Sequence, residues 1–270
     1  MPSVRIIVTP PGIKSAVSNT ASYLRELNYE ALFLNLSKEL EEGIKEIAEG
    51  APYEMILNLF IEEGLIQEPI EHFRSEVEPI LKSIRGIALK KPNLEVHCYK
   101  DPSTIRESIR LATEVMIKVY KWSLTGKINL EDWKNLAYSW LTLQDRALDR
   151  EANYIAKESG KVEESLCIAG FNGKYIKEHL KEEGCKVDLK YAYLPYHFTP
   201  LDVLLRMIRL KGLRKDEKMD ERMREIIERH GRFIRDYVVP SKDYDEAYRR
   251  WVLDNAPWIK HRLLRRTRWM

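Results

Sequence analysis

The chain has 270 residues, 44% hydrophobic and 32% charged, enough for one large domain or two modest ones with a real core, and this argues against disorder. A formal net charge of +3 does not mark a protein that binds nucleic acid with its whole surface, although local basic patches stay open. No stretch approaches the roughly 18 apolar residues that span a bilayer, and the opening MPSVRIIVTPPG lacks a long apolar region, so it reads as a first strand rather than a signal peptide.

The three cysteines, Cys98, Cys167 and Cys185, form no CxxC pair, and the first two lie in apolar runs as small buried hydrophobes do. A reducing, cytoplasmic compartment is the simplest expectation. Glutamine occurs only at Gln67 and Gln144 while Lys, Arg and Glu are plentiful, a thermophile-like composition.

In chain order, VRIIVT (4–9) is a β-branched run ended by Pro10-Pro11-Gly12, a buried strand followed by a turn. A helix is predicted over 15–27, with Ala16, Tyr23, Leu24 and Leu27 near one face. ALFLNL (31–36) is a second strand; Ser37 can cap a helix over 38–49, with Gly50 just past its end. Helical segments follow at 52–63 and 70–89, then a third strand, LEVHCY (94–99). A long helical region over 103–159 breaks at Gly126, with Asn129 as a second N-cap. SLCIA (165–169) is a fourth strand, 174–183 a short helix ended by Gly184, and VDLKYAYL (187–194) an alternating fifth strand. Thr199 can cap a helix that opens with Pro200, and helices are predicted over 215–235, 243–254 and 258–268.

The expected fold class is therefore α/β: a parallel-rich sheet of about five strands. The expected organisation is an α/β domain over 1–212 with a large helical insertion at about 102–160, and a helical C-terminal extension over 213–270 packed on it.

Open parallel sheets bind ligands outside the carboxyl ends of their strands. Those ends carry Thr9, Asn35, His97, Tyr99, Asn172, Lys174, Tyr196 and His197. His97 reads equally as a core histidine; His197, in the loop Pro195-Tyr196-His197-Phe198, has the setting of a functional residue. His97, His197 and a nearby carboxylate could hold a divalent metal, but the spacing demands none, and no cofactor is indicated. Gly170-Phe171-Asn172-Gly173 could hold an anion at the following helix start with Lys174 adding charge; the plainer reading is a tight strand-to-helix turn that needs small residues. Arg146, Asp149 and Arg150 share a helix face, as in a solvated charge ladder. The C-terminal segment interleaves Lys260, Arg262, Arg265, Arg266 and Arg268 with Trp258 and Trp269, a pattern that suits nucleic acid or an anionic membrane, or else a docked last helix with its cations outward.

Two segments in order, ALFLNLSKELEEGIKEIAEG and ALDREANYIAKES followed by SLCIAGFNGKYIKEHL, resemble the TraB/ChaN/erythromycin-esterase superfamily. Arg150 and Glu151 match its Arg–acid pair and Gly170 its turn glycine, while Tyr154 and Ile155 replace Met-Ala. The chain departs from that pattern in its first loop, Pro10 to Lys14, which has no histidine, in Asn35 and Ser37 at the acid position, and in Gly173 at the later histidine. The resemblance implies a diverged, hydrolase-like relative: a ligand-binding pseudoenzyme, or an active esterase-type or metal-dependent hydrolase. In the latter, Glu151 is general base, Arg150 stabilises negative charge and His97 or His197 assists. The basic C-terminal segment adds nucleic-acid binding as a further alternative.

Overall fold

The computed structural model describes residues 1–212 and 217–256. The helix expected over 258–268, and with it Arg262, Arg265, Arg266 and Arg268, lies outside the described residues. Contacts divide the chain into two compact units: Met1–Ile109 with Leu143–Leu194, and Arg110–Thr142 with the described residues from Pro195 on.

The first unit is built on five parallel strands, β1 (Ser3–Val8), β2 (Ala31–Ser37), β3 (Glu95–Lys100), β4 (Glu164–Ala169) and β5 (Lys186–Tyr191), in the order β3-β2-β4-β1-β5. The parallel α/β class expected from the apolar runs is what forms. β4 enters between β1 and β2, pairing Val4 with Ser165 on one side and Ala31 with Ser165 on the other. The connecting helices are α1 (Lys14–Glu26), α2 (Glu41–Glu49), α3 (Tyr53–Glu62), α4 (Ile70–Ala88), the first turns of α5 (Pro102–Thr125), the second half of α6 (Leu130–Ser159) and α7 (Gly173–Glu182).

Alternation assigns Val4, Ile6, Val8, Phe33, Tyr99, Cys167 and Ala169 to one face, where Ile155 of α6 and Ile176 and Leu180 of α7 cover them. Ile7, Leu32, Leu34 and Ile168 point the other way and are equally buried, leaving that face to α1, α2 and α4, which pack on one another. Burial on both faces explains why the central strands β1, β2 and β4 read as near-continuous apolar runs, while the edge strand β5 alternates and is largely exposed. No described helix is long and apolar enough to cross a membrane.

Local signals account for most element boundaries. Gly50 ends α2 at φ +122°, and Gly126 separates α5 from α6 at φ +65°. Asn129 accepts the Asp132 N–H at 3.3 Å, as an N-cap does. Ser37 caps a short 3₁₀ turn, Lys38–Leu40, ahead of α2. Gly173 matters for packing: a Cβ there would stand 2.6 Å from Val8 Cγ2. The small-residue reading of the β4–α7 turn is thus the structural reason that α7 can sit down on β1.

The second unit holds the middle of the α5–α6 hairpin with α8 (Pro200–Lys211), α9 (Glu217–Arg232), a π-helical turn (Phe233–Val238) and α10 (Tyr244–Asn255). Thr199 and Asp202 form the reciprocal capping box of α8, with Pro200 at its first turn. At its centre lies His230, 4% exposed, with neither ring nitrogen hydrogen-bonded among the described residues. Trp133 meets it edge-on at 6.4 Å and Phe233 stacks at 6.3 Å, while Trp122 lies so close to Gly231 that a Cβ there would be 2.3 Å from its ring. Burial pushes the His230 pKa down to about 4.

Two stability predictions follow from this packing. Gly173→Ala is expected to cost about 1–3 kcal/mol by overpacking against a β-branched neighbour, read as a lower urea midpoint with unchanged slope. His230 stays neutral in the folded chain down to about pH 4, whereas the unfolded chain takes up the proton near pH 6.5. Its contribution is therefore fully present above pH 6.5 and lost as pH falls towards 4, by up to about 3 kcal/mol. His230→Phe is expected to flatten that part of the urea-midpoint profile, and an unchanged acid slope would show that another group carries it.

Candidate functional site

The polar groups of the first unit gather over the carboxyl ends of three adjacent strands, β3, β2 and β4. Glu151 enters from α6 and is 2% exposed. The Lys100 ammonium, on the last residue of β3, donates to both its oxygens, at 3.0 and 2.9 Å. Asn172, in the turn after β4, donates to Oε2 at 3.3 Å. Burial raises the Glu151 pKa, while the charge and hydrogen bonds of Lys100 pull it back. The result is a buried ion pair of no net charge with most of the carboxylate lone pairs occupied.

Beside it the Tyr99 hydroxyl lies 2.8 Å from the Ile168 carbonyl oxygen and 2.9 Å from the Asn35 carboxamide, tying β3, β4 and β2 together. Asn35 owes its position to an irregularity: pairing moves from Leu34–Cys98 to Ser37–Lys100, so β2 spends one more residue than β3 over this stretch. Such bulges re-aim side chains, and here Asn35 is exposed while Ser37 is buried. Asn172 Oδ1 and the Asn35 carboxamide nitrogen stand 3.6 and 4.0 Å from where a Cβ on Gly170 would be. At the rim Arg150, 58% exposed, approaches Asp101 at 3.7 Å, and Asp101 also accepts the Ser103 N–H at the start of α5. Asp149 of the same charge run accepts the Tyr175 hydroxyl.

The structure thus brings together Asn35, Tyr99, Arg150, Glu151 and Asn172 of the residues expected from sequence. Lys174 is exposed in the first turn of α7. Thr9 faces elsewhere, its hydroxyl 2.7 Å from that of Thr20 on α1. His97 is three residues before Lys100, roughly 10 Å back along the strand at 3.3 Å per residue. It stacks on Phe33 at 5.0 Å, meets the Tyr154 hydroxyl at 3.4 Å and Glu95 at 3.3 Å, and lines a groove of about 620 Å³ with Lys45, Glu49 and Lys91 at the amino end of β3. Tyr196 and His197 belong to the second unit, where Tyr196 stacks on Tyr248 at 5.1 Å and His197 on Trp251 at 4.8 Å. Among the described residues no group of three or more His, Cys, Asp or Glu side chains is placed to hold a metal.

Sequence reasoning passed over two residues. Lys100 directly follows Tyr99, and a lysine at the very end of the third strand was the available signal. Glu41, the first residue of α2, accepts the Cys98 backbone N–H at 2.7 Å on the edge strand β3, and no sequence period announces it. Comparison of the chain with family models, curated proteins and solved structures gives no match.

Removing one partner of the Lys100–Glu151 pair strands a buried charge, whereas removing both does not. Lys100→Met and Glu151→Leu are each expected to destabilise by about 3 kcal/mol, and the double variant to recover much of that loss. Strictly additive losses in urea unfolding would show that the two groups are not coupled.

Proposed function

We propose that the first unit is a small-molecule binding module whose site lies over the carboxyl ends of β2, β3 and β4, and that it is a diverged relative of the TraB/ChaN/erythromycin-esterase superfamily in which catalytic groups have given way to binding groups. The observation that carries this reading is the engagement of Glu151. Lys100 and Asn172 fill about three of the four acceptor positions of its carboxylate. An oxygen pair held by an ammonium is a weak proton acceptor, and a general base needs a free lone pair turned towards water. Asn35 and Arg150, by contrast, are exposed to solvent, with the half-buried Asp101 beside Arg150. The lineage is supported by the parallel sheet and by the arrival of Arg150 and Glu151 from a helix over the strand ends, beside the glycine turn after β4.

The hydrolase alternative joins Glu151 to His97 or His197. The hydrogen-bond partners of Glu151 are Lys100 and Asn172, and those of His97 are Glu95 and Tyr154, which favours the binding reading.

A thermal-shift screen of the intact chain against nucleosides, monosaccharides and amino acids is expected to give a rise of several degrees with at least one class, lost in Asn35→Ala. Hydrolysis of p-nitrophenyl acetate and butyrate, with and without added Zn²⁺ or Mn²⁺, is expected to stay at the buffer rate. Turnover well above buffer that disappears in Glu151→Gln would reverse the assignment in favour of the hydrolase.

A further inference from the structure

The sheet of the first unit has two edge strands, β3 and β5, and they are finished differently. On β3 the outward Cys98 N–H is taken up by the Glu41 carboxylate at 2.7 Å. On β5 the N–H groups of Lys186 and Ala192 bond to Pro2 and Val8, each at 2.9 Å, and the β1–β5 register runs unbroken between them. Residues of that parity turn their main chain towards β1, so Val187, Leu189 and Tyr191 turn theirs away from it. Their N–H and C=O groups line an edge of roughly 13 Å at 3.3 Å per residue, and among the described residues no backbone group bonds to them. Lys186, Asp188, Lys190 and Tyr191 are all exposed, so the edge is open to solvent.

We propose that β5 is a self-association edge whose partner is β5 of a second copy of this chain, antiparallel across a two-fold axis at Leu189. The alternation of charge along the strand carries this. With Leu189 opposite Leu189, Val187 lies opposite Tyr191 on either side, and each of these pairs exchanges two hydrogen bonds. On the face that packs against α7, Leu189 meets Leu189 and the half-buried Val187 meets the Tyr191 ring, itself 43% exposed. On the opposite face Asp188 of each copy stands directly across from Lys190 of the other, and Asp188 is 75% exposed with only Arg5 near it, at 3.9 Å. Lysines on an edge strand ordinarily repel a second strand; the aspartate between them reverses that in this register alone. A shift of two residues one way sets Asp188 against Asp188 and Lys186 against Lys190, and the other way sets Lys190 against Lys190, each a destabilising like-charge pair. The strand is thus complementary to itself, and the contact joins two five-stranded sheets into one.

Sedimentation velocity of the full chain over about 1–200 µM tests this, because a dimer follows mass action. The mass is expected to move from the 31.8 kDa of one chain towards twice that value as concentration rises. Tyr191→Pro removes an outward N–H that the intrachain ladder does not use, a place where an edge strand tolerates proline. It is expected to weaken the dimer by about 10-fold or more. Asp188→Lys puts like charges opposite each other and is expected to weaken it comparably, while combining it with Lys190→Asp restores opposite charges and is expected to restore the dimer. Circular dichroism reports which variants keep the fold, and either single variant serves if the other does not. A chain that stays at monomer mass throughout overturns the second copy as the occupant of this edge. A dimer indifferent to both Tyr191→Pro and Asp188→Lys forms through another surface and overturns the proposal, and a folded charge-swapped double variant that stays monomeric overturns the register.

Discussion

An ionised carboxylate cannot remain in a protein interior without partners, and Glu151 imposes that condition on the first unit. Its burial against the sheet is tenable only if a cation and a donor reach it, and they come from separate parts of the chain: the last residue of β3 and the turn after β4. The ion pair therefore fixes where β3 must end, where the turn must stand, and how deep the second half of α6 sits. Tyr99 repeats the arrangement one residue earlier with uncharged groups, joining β2 and β4 through Asn35 and Ile168.

That concentration of polar contacts depends on the order of the strands. β4 follows the α5–α6 hairpin yet inserts between β1 and β2, so a turn late in the chain comes to lie against a strand end formed early. The strand next to β4 is also the one with the irregular register, and the extra residue there leaves Asn35 at the surface rather than in the core. Topology brings the groups together, and the bulge turns one of them outward.

The parallel α/β class was legible because burial on both faces made β1, β2 and β4 apolar runs, and because glycines and caps at Gly50, Gly126, Asn129 and Thr199 act within a few residues of the boundaries they set. Asn35 and Asn172 could be proposed for one site because they stand near a strand end and in the turn after one, whereas Arg150 and Glu151, inside α6, were reached through the resemblance. His97 could not be placed this way: it is the third residue of a six-residue strand, and only the observed strand end shows how far back it lies. The position of β4, the β2 bulge, and the pairings of Lys100 with Glu151 and of Glu41 with the Cys98 amide join residues far apart in sequence, which local periodicity does not encode. The π-helical turn after α9 was equally hidden, since its bonding shifts by one residue without changing the apolar pattern.

Each unit takes its residues from two separated stretches of chain, and this governs the order in which they can be completed on the ribosome. The hairpin that carries Trp122 and Trp133 is made well before His230 and Gly231, against which those rings pack. At the usual pace of synthesis the interval of about 100 residues lasts on the order of 5–20 s. Throughout it two tryptophans lack the partners that bury them. The strands of the first unit are meanwhile already emerging, so the nascent chain has a sheet that can close early and a helical unit that must wait for the end of the chain.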